Sequence, residues 1–329
     1  MPLAVTVITP VYNGAATLHR CLAPLLAMQR RGEVAEVIVV DDGSTDASPA
    51  IAAGLGARVM ASGGRLGPGG ARNVAARAAR GDVLWFVDAD VVVHADAARM
   101  LADVFRRTGA TAVFGAYDDE PPAANFLSQY KNLVHHYYHR EGEGDAETFW
   151  AGCGAIRKAA FLDVGGFDAA RYAAPSIEDI ELGWRLRDRG HAIWLAPALK
   201  ATHLKVWRLP NLLHTEIFRR ALPWSRLLHS RPARAGTLNI SPAERLRALL
   251  AIVLLVSIPL ALFATVPRAV PVALLGGVAI ANAKLLALFR RRRGIAFAVA
   301  GVLFHQVYYL YASAAFAWSW LERRAAPGA

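Results

Sequence analysis

The sequence predicts an α/β domain, a mainly parallel sheet flanked by helices, followed by a C-terminal transmembrane helical segment. Three observations predict it. The first third of the chain alternates short β-branched runs with helically spaced apolar stretches. The acidic and Gly-rich turns fall where those runs stop, and the final quarter is almost wholly apolar. Residues 4–9 form a first strand running into Pro10, and Tyr12-Asn13-Gly14 turns the chain. Residues 17–28 carry Leu18, Cys21, Leu22, Leu25 and Leu26 at helical spacing. A second strand, 36–40, is stopped by Asp41-Asp42-Gly43; a helix over 48–55 and a third strand, 57–61, follow. The Gly-rich loop from Ser62 to Gly70 opens a helix over 71–80, and the strand 83–87 closes on Asp88-Ala89-Asp90. Runs apolar on both faces need helices on both sides, and such sheets bind ligands beyond their carboxyl ends. Pro10, Tyr12, Asp41, Asp42, Asp88 and Asp90 all fall at that edge. Residues 111–204 are less regular, with polar loops at 118–124 and 141–147 and a structured block from Phe149 to His203.

Hydrophobic residues make up 55% of the 329, above the range of soluble domains, and the excess lies beyond Ser241-Pro242. This divides the chain into a soluble domain over 1–205, a linker over 206–245 and about three transmembrane helices over 246–320. The apolar segments are 248–266, 270–289 and 295–320, each near the roughly 20 residues that cross a bilayer. The second contains Asn282 and Lys284, so a re-entrant hairpin competes with a span there. Arg245, Arg247 and Arg290 to Arg293 flank these segments, which by the positive-inside rule puts the soluble domain in the cytoplasm. The expected location is a multi-pass protein of the inner or plasma membrane, with no signal peptide at its start. The net charge of +11 concentrates after Lys200 and leads into the apolar tail, which suits an anionic bilayer surface. No aromatic–basic interleaving marks the strands, so no nucleic acid is expected as a partner. Cys21 and Cys153 have neither metal-ligand spacing nor the pattern of a disulfide framework. In the linker, Leu213, Ile217, Ala221, Trp224 and Leu228 recur at helical spacing among Arg219, Arg220 and Arg226. That pattern fits an in-plane interfacial helix kinked at Pro223, or an ordinary amphipathic helix packed on protein.

Two carboxylates at i and i+2 where a strand runs out, Asp88 and Asp90, suit a hard cation such as Mg²⁺ or Mn²⁺ bridging to diphosphate oxygens. In Asp41-Asp42 one carboxylate can accept from a nucleobase N–H, while Ser44, Thr45 or Asp46 caps the next helix. The loop from Gly63 to Gly70 resembles a phosphate cradle at a helix N-terminus but lacks the Gly-Lys-Ser/Thr ending of a P-loop. It also lacks the position of a dinucleotide fingerprint. Arg72 is placed against the donor phosphate or the sugar-nucleotide region, with an exposed helix arginine as the alternative.

Taken in series, residues 7–14, the run from Val39 to Asp46, Ala71-Arg72-Asn73 and Phe86-Val87-Asp88-Ala89-Asp90 resemble the family 2 glycosyltransferases. Gly165-Gly166-Phe167-Asp168 and Glu178-Asp179-Ile180-Glu181-Leu182 extend the resemblance to about residues 3–205. It implies a GT-A fold and an inverting transfer from a nucleotide-diphosphate sugar that depends on a divalent metal. Position by position it implies Pro10, Tyr12 and Asp42 in the nucleoside pocket with Asp41 beside it. Asp88 would touch ribose or metal, Asp90 would be the principal metal ligand, and Asp179 the catalytic base. Asp179 would otherwise be a carboxylate favoured at a helix N-terminus. Glu178 would orient the base or the acceptor, and His203 would complete the metal shell or simply be packed. Residues 149–154 resemble the acceptor-side segment, with Gly152 and Cys153 as small packed residues. The acceptor expected is lipid-linked or a membrane-proximal glycan. Processive synthases carry Gln-x-x-Arg-Trp after the base, whereas residues 218–224 read Phe-Arg-Arg-Ala-Leu-Pro-Trp, which argues against processivity. A polysaccharide synthase and a silent nucleotide-binding membrane protein are the competing readings.

Overall fold

The computed structural model describes residues 3–231 and 241–325. The chain divides into two units, Met1–Val206 and Trp207–Ala329. In the first, β1 (Val5–Val11) and β4 (Val83–Val87) are buried along their whole length, and β2 (Glu36–Asp41) nearly so. Strands with no face left for water need cover on both sides. That cover comes from α1 (Ala15–Arg30), α2 (Ser48–Gly54) and α3 (Gly67–Ala78). The more exposed β3 (Arg58–Ala61) closes the edge. The four strands lie in the order β3-β2-β1-β4, all parallel.

The rest of the unit adds β5 (Val91–Val93), α4 (Ala97–Thr108), β6 (Ala112–Tyr117), α5 (Phe126–Glu141) and β7 (Gly144–Asp145). It continues with β8 (Cys153–Arg157), α6 (Lys158–Asp163), α7 (Glu178–Asp188) and β9 (Ile193–His203). The path becomes β3-β2-β1-β4-β8-β6-β9-β5, with β7 on β9. Here the sheet is mixed rather than mainly parallel. β8 enters between β4 and β6 and runs antiparallel to both, while β6 and β9 are parallel to each other. Its small residues gave no strand signal. Gly154 is required there, because a Cβ would sit 2.3 Å from the Trp150 carbonyl oxygen.

Successive residues of β4 point to opposite layers. Trp85 joins Leu18, Leu22 and Leu25 of α1 and Phe105 of α4. Phe86 joins Ala71 and Ala75 of α3, Phe161, Phe167 and Leu182. Both layers hold the carboxyl ends of β1, β2 and β4 in place.

The second unit begins with α8 (Leu209–His214), a π-helical stretch (Thr215–Ala221) and α9 (Leu222–Ser230). Where a kink was expected at Pro223, the turns widen instead into a π-helix that ends at Ala221, two residues before the proline. Trp224 and Leu228, placed on the apolar stripe of an interfacial helix, are buried. α9 packs on α12 (Ala283–Ala325), where Arg226 pairs with Glu322 at 2.8 Å. α10 (Pro242–Leu262) is capped by the Ser241 hydroxyl, which accepts from the Glu244 N–H. α11 (Ala269–Ala281) spans 13 residues, so residues 270–289 are not one helix. The break falls at Asn282, whose side-chain amide donates to the Val278 carbonyl at 2.9 Å. Gly294, at φ 83°, interrupts α12. Among the described residues, α10 and α12 are long and apolar enough to cross a membrane by length and composition.

Candidate active site

The turns after β1 and β2 are locked to each other. Asn13, in the left-handed region at φ 51°, accepts from the Thr45 N–H at 2.8 Å, and its own N–H donates to the Ser44 hydroxyl at 3.0 Å. Asp46 accepts from the Ala15 N–H at 3.0 Å and from the Ser48 N–H at 2.9 Å. Asp41 accepts from the Ser44 N–H at 3.0 Å. These bonds fix Pro10, which is buried, and Tyr12, which is open to solvent with the Arg65 guanidinium 3.0 Å from its ring centroid.

Asp42 does more than the sequence indicated. Its carboxylate is buried and accepts from the Ser62 hydroxyl at 2.9 Å, the Leu66 N–H at 2.8 Å and the Gly67 N–H at 2.9 Å. It therefore shapes the Gly-rich loop. Within that loop, Gly67, Gly69 and Gly70 are buried against protein rather than facing an open cradle. A Cβ on Gly67, at φ 74°, would lie 2.3 Å from the Ala173 carbonyl oxygen, and Gly69 abuts Phe167 and Glu178.

Arg72 is not an exposed helix arginine. It is 3% exposed and donates to Asp88 at 2.5 Å, with its other terminal nitrogen 3.5 Å from Glu178. Its Nε has no hydrogen-bond partner. The residue ties the β4 turn to the first turn of α7. Beside it, the Asn73 side chain accepts from the Phe167 N–H at 2.9 Å and donates to the Phe167 carbonyl at 2.7 Å. This two-way clip was missed, because nothing in the spacing of Asn73 after Arg72 or of Phe167 after two glycines pairs the two positions.

Asp88 and Asp90 flank the turn between β4 and β5. The pairing of Val91 with His203 across β5 and β9 brings Asp90 to His203, Oδ2 to Nε2 at 3.5 Å. Burial works against the Asp90 charge, yet the His203 hydrogen bond and the nearby Lys205 hold its carboxyl below the usual range. Burial pushes the Asp88 carboxyl up, with the Asp90 charge adding to it and Arg72 opposing. Among the described residues no three His, Cys, Asp or Glu side chains surround a common point; Asp90 and His203 form a pair while Asp88 faces Arg72. One carboxylate and one imidazole fit a cation that takes its remaining ligands from substrate phosphates and water.

Asp179 stands in the first turn of α7, whose N–H groups favour a carboxylate. Its Oδ2 accepts from the Ala151 N–H at 3.1 Å and its Oδ1 from the Ile180 N–H at 2.9 Å. Burial, reinforced by the adjacent Glu178 charge, pushes its pKa up to about 7, the range a general base needs. Glu178 is buried, accepts from the Ser176 N–H at 2.8 Å and faces Arg72. The Trp150-Ala151-Gly152 segment that anchors Asp179 is tight: a Cβ on Gly152 would lie 2.5 Å from the Trp150 ring. Cys153 is a buried free thiol pushed by burial up to about 12, a packed residue rather than a nucleophile. The structure thus brings Asp88, Arg72, Glu178 and Asp179 into one connected set, and Asp90 with His203 into another at the same turn.

A mixed sheet with acidic turns at the carboxyl ends of β2 and β4, and a carboxylate at the start of α7, is an arrangement of the GT-A type. Residues 6–165 match the family described as Glycosyl transferase family 2. The succinoglycan biosynthesis protein ExoO of Rhizobium meliloti is 38% identical over 109 residues, 32% of this chain and 31% of that protein. The pre-mycofactocin glycosyltransferase of Mycobacterium tuberculosis is 27% identical over 208 residues, 60% and 42% of the two chains. The chain thus spans about a third to two fifths of the length of these curated relatives. Among solved structures, the mannosyltransferase PcManGT of Pyrobaculum calidifontis, in complex with GDP-Man and Mn²⁺, superposes with a TM-score of 0.62 at 20% identity. The match covers 97% of this chain and 88% of that one, and at this identity it is a likeness of fold.

Proposed function

We propose that the protein is a membrane-anchored, inverting glycosyltransferase that moves a sugar from a nucleotide-diphosphate donor to a lipid-linked or membrane-proximal glycan acceptor. The observation that carries the inversion is Asp179: a half-buried carboxylate whose pKa is pushed up to about 7, held by two backbone N–H groups, in a reaction that needs no second carboxylate as nucleophile. Direct displacement at the anomeric carbon requires one base for the acceptor hydroxyl proton, and Asp179 takes that role. Glu178 and Arg72 keep it oriented. Gly152 and Cys153 leave room on the acceptor side because neither presents bulk.

On the donor side, Pro10, Tyr12 and Asp41 receive the nucleoside, with Asp42 shaping the loop beneath it and Asp88 near the ribose. Asp90 and His203 would hold Mg²⁺ or Mn²⁺, which when bound would neutralise the leaving diphosphate. The Mn²⁺ of the mannosyltransferase complex supports this choice, and its GDP-Man supports a sugar nucleotide as donor. The outward apolar surfaces of α10 and α12 support anchoring in the inner or plasma membrane, and the flanking arginines support a cytoplasmic catalytic domain. Purified full-length protein in detergent, offered a panel of nucleotide sugars with Mn²⁺, should release nucleoside diphosphate from one of them. Release from none would remove the transferase reading.

A further inference from the structure

The rings around His203 carry an inference that rests on its proposed place in the cation site. Tyr117 ends β6, and its register partner on β9 is Ala201, two residues before His203. The phenol ring lies flat on the imidazole, with centroids 4.4 Å apart and planes 7° apart. Tyr117 is itself held: it is 7% exposed, Trp150 meets it edge-on at 4.7 Å and 83°, and the His135 ring lies 4.3 Å away. Trp150 in turn precedes Ala151, whose N–H anchors Asp179.

Strand pairing fixes the Cα–Cβ direction of His203, but the χ2 torsion of an imidazole is broad and two-fold. A flat, immobile neighbour removes that freedom, because rotation would drive the ring edge into the phenol face. We infer that Tyr117 is a positioning residue for the metal site. It holds the imidazole plane of His203 so that Nε2 stays aimed at Asp90, 3.5 Å away, and it acts through its ring rather than its hydroxyl.

The test measures Mn²⁺ binding to the full chain in detergent, without substrate, from the paramagnetic resonance signal of the free ion, alongside Tm. His203→Ala should weaken binding. Tyr117→Phe should hold affinity within about twofold, whereas Tyr117→Leu should lose about tenfold, the size typical when support behind a metal ligand is lost. In the His203→Ala background Tyr117→Leu should add nothing. If Tyr117→Leu does not fold, Tyr117→Met replaces it. Weakened binding in His203→Ala with wild-type affinity in Tyr117→Leu overturns the positioning role alone, as does an equal loss from Tyr117→Leu in both backgrounds. Unchanged affinity in His203→Ala removes His203 from the cation site and overturns both.

Discussion

The two units are built from the same aliphatic alphabet and turn it in opposite directions. In β1 and β4 every residue is buried, and the carboxylate of Asp42 that shares the interior is bonded to its loop. In α10, Leu255 and Val256 are about half exposed, and only 22% of its most apolar window is buried. A soluble domain hides apolar surface because water penalises it; a helix in lipid has no reason to. The difference teaches that hydrophobicity locates a region, while the direction in which it points bears on which solvent that region would suit.

That contrast can be tested from both sides. The largest effect should come from Asp90→Ala, with turnover falling by about 10³-fold or more as several kcal/mol of leaving-group stabilisation go. Circular dichroism should stay unchanged, and EDTA should reproduce the loss in the wild type; transfer that survives EDTA would contradict the metal role. Asp179→Asn should lower kcat by at least about 10²-fold while leaving donor KM largely intact. The sign of its pH dependence follows from the raised pKa. The base works only when ionised, so kcat/KM should climb tenfold per pH unit up to about 7 and then level off, a limb absent from the variant. On the other side of the comparison, Leu255→Lys places a charge on the exposed face of α10 and should cost about 2.5 kcal/mol of membrane insertion. Alkaline extraction of membranes should release the variant, and retention equal to wild type would show that this face does not meet lipid. The smallest effect belongs to Ser62→Ala, which removes one hydrogen bond from buried Asp42 and should cost about 1 kcal/mol in urea unfolding.

The parallel half of the sheet was legible because its strands are continuous β-branched runs bounded by Asp, Gly and Pro. The antiparallel half was not: β8 is small residues, and its reversed direction is decided by the strands it joins rather than by its own composition. Likewise the acidic turns could be read as acidic turns, but not their partners. Asp42 is engaged by residues a loop away, and Arg72 meets Glu178 across 106 positions. His203 looked like a lone histidine until the β5–β9 pairing delivered Asp90. Trp224 and Leu228 have the spacing of a membrane-facing stripe, yet spacing alone does not say that α12 covers them.

The insertion of β8 beside β4 also bears on how the protein is born. During synthesis β4 emerges wholly apolar, and one of its edges stays unpaired until Cys153–Arg157 have followed it out of the ribosome. At roughly 5–20 residues per second that delay lasts several seconds. During that interval the open edge of β4 would offer unpaired N–H and C=O groups to any neighbouring strand.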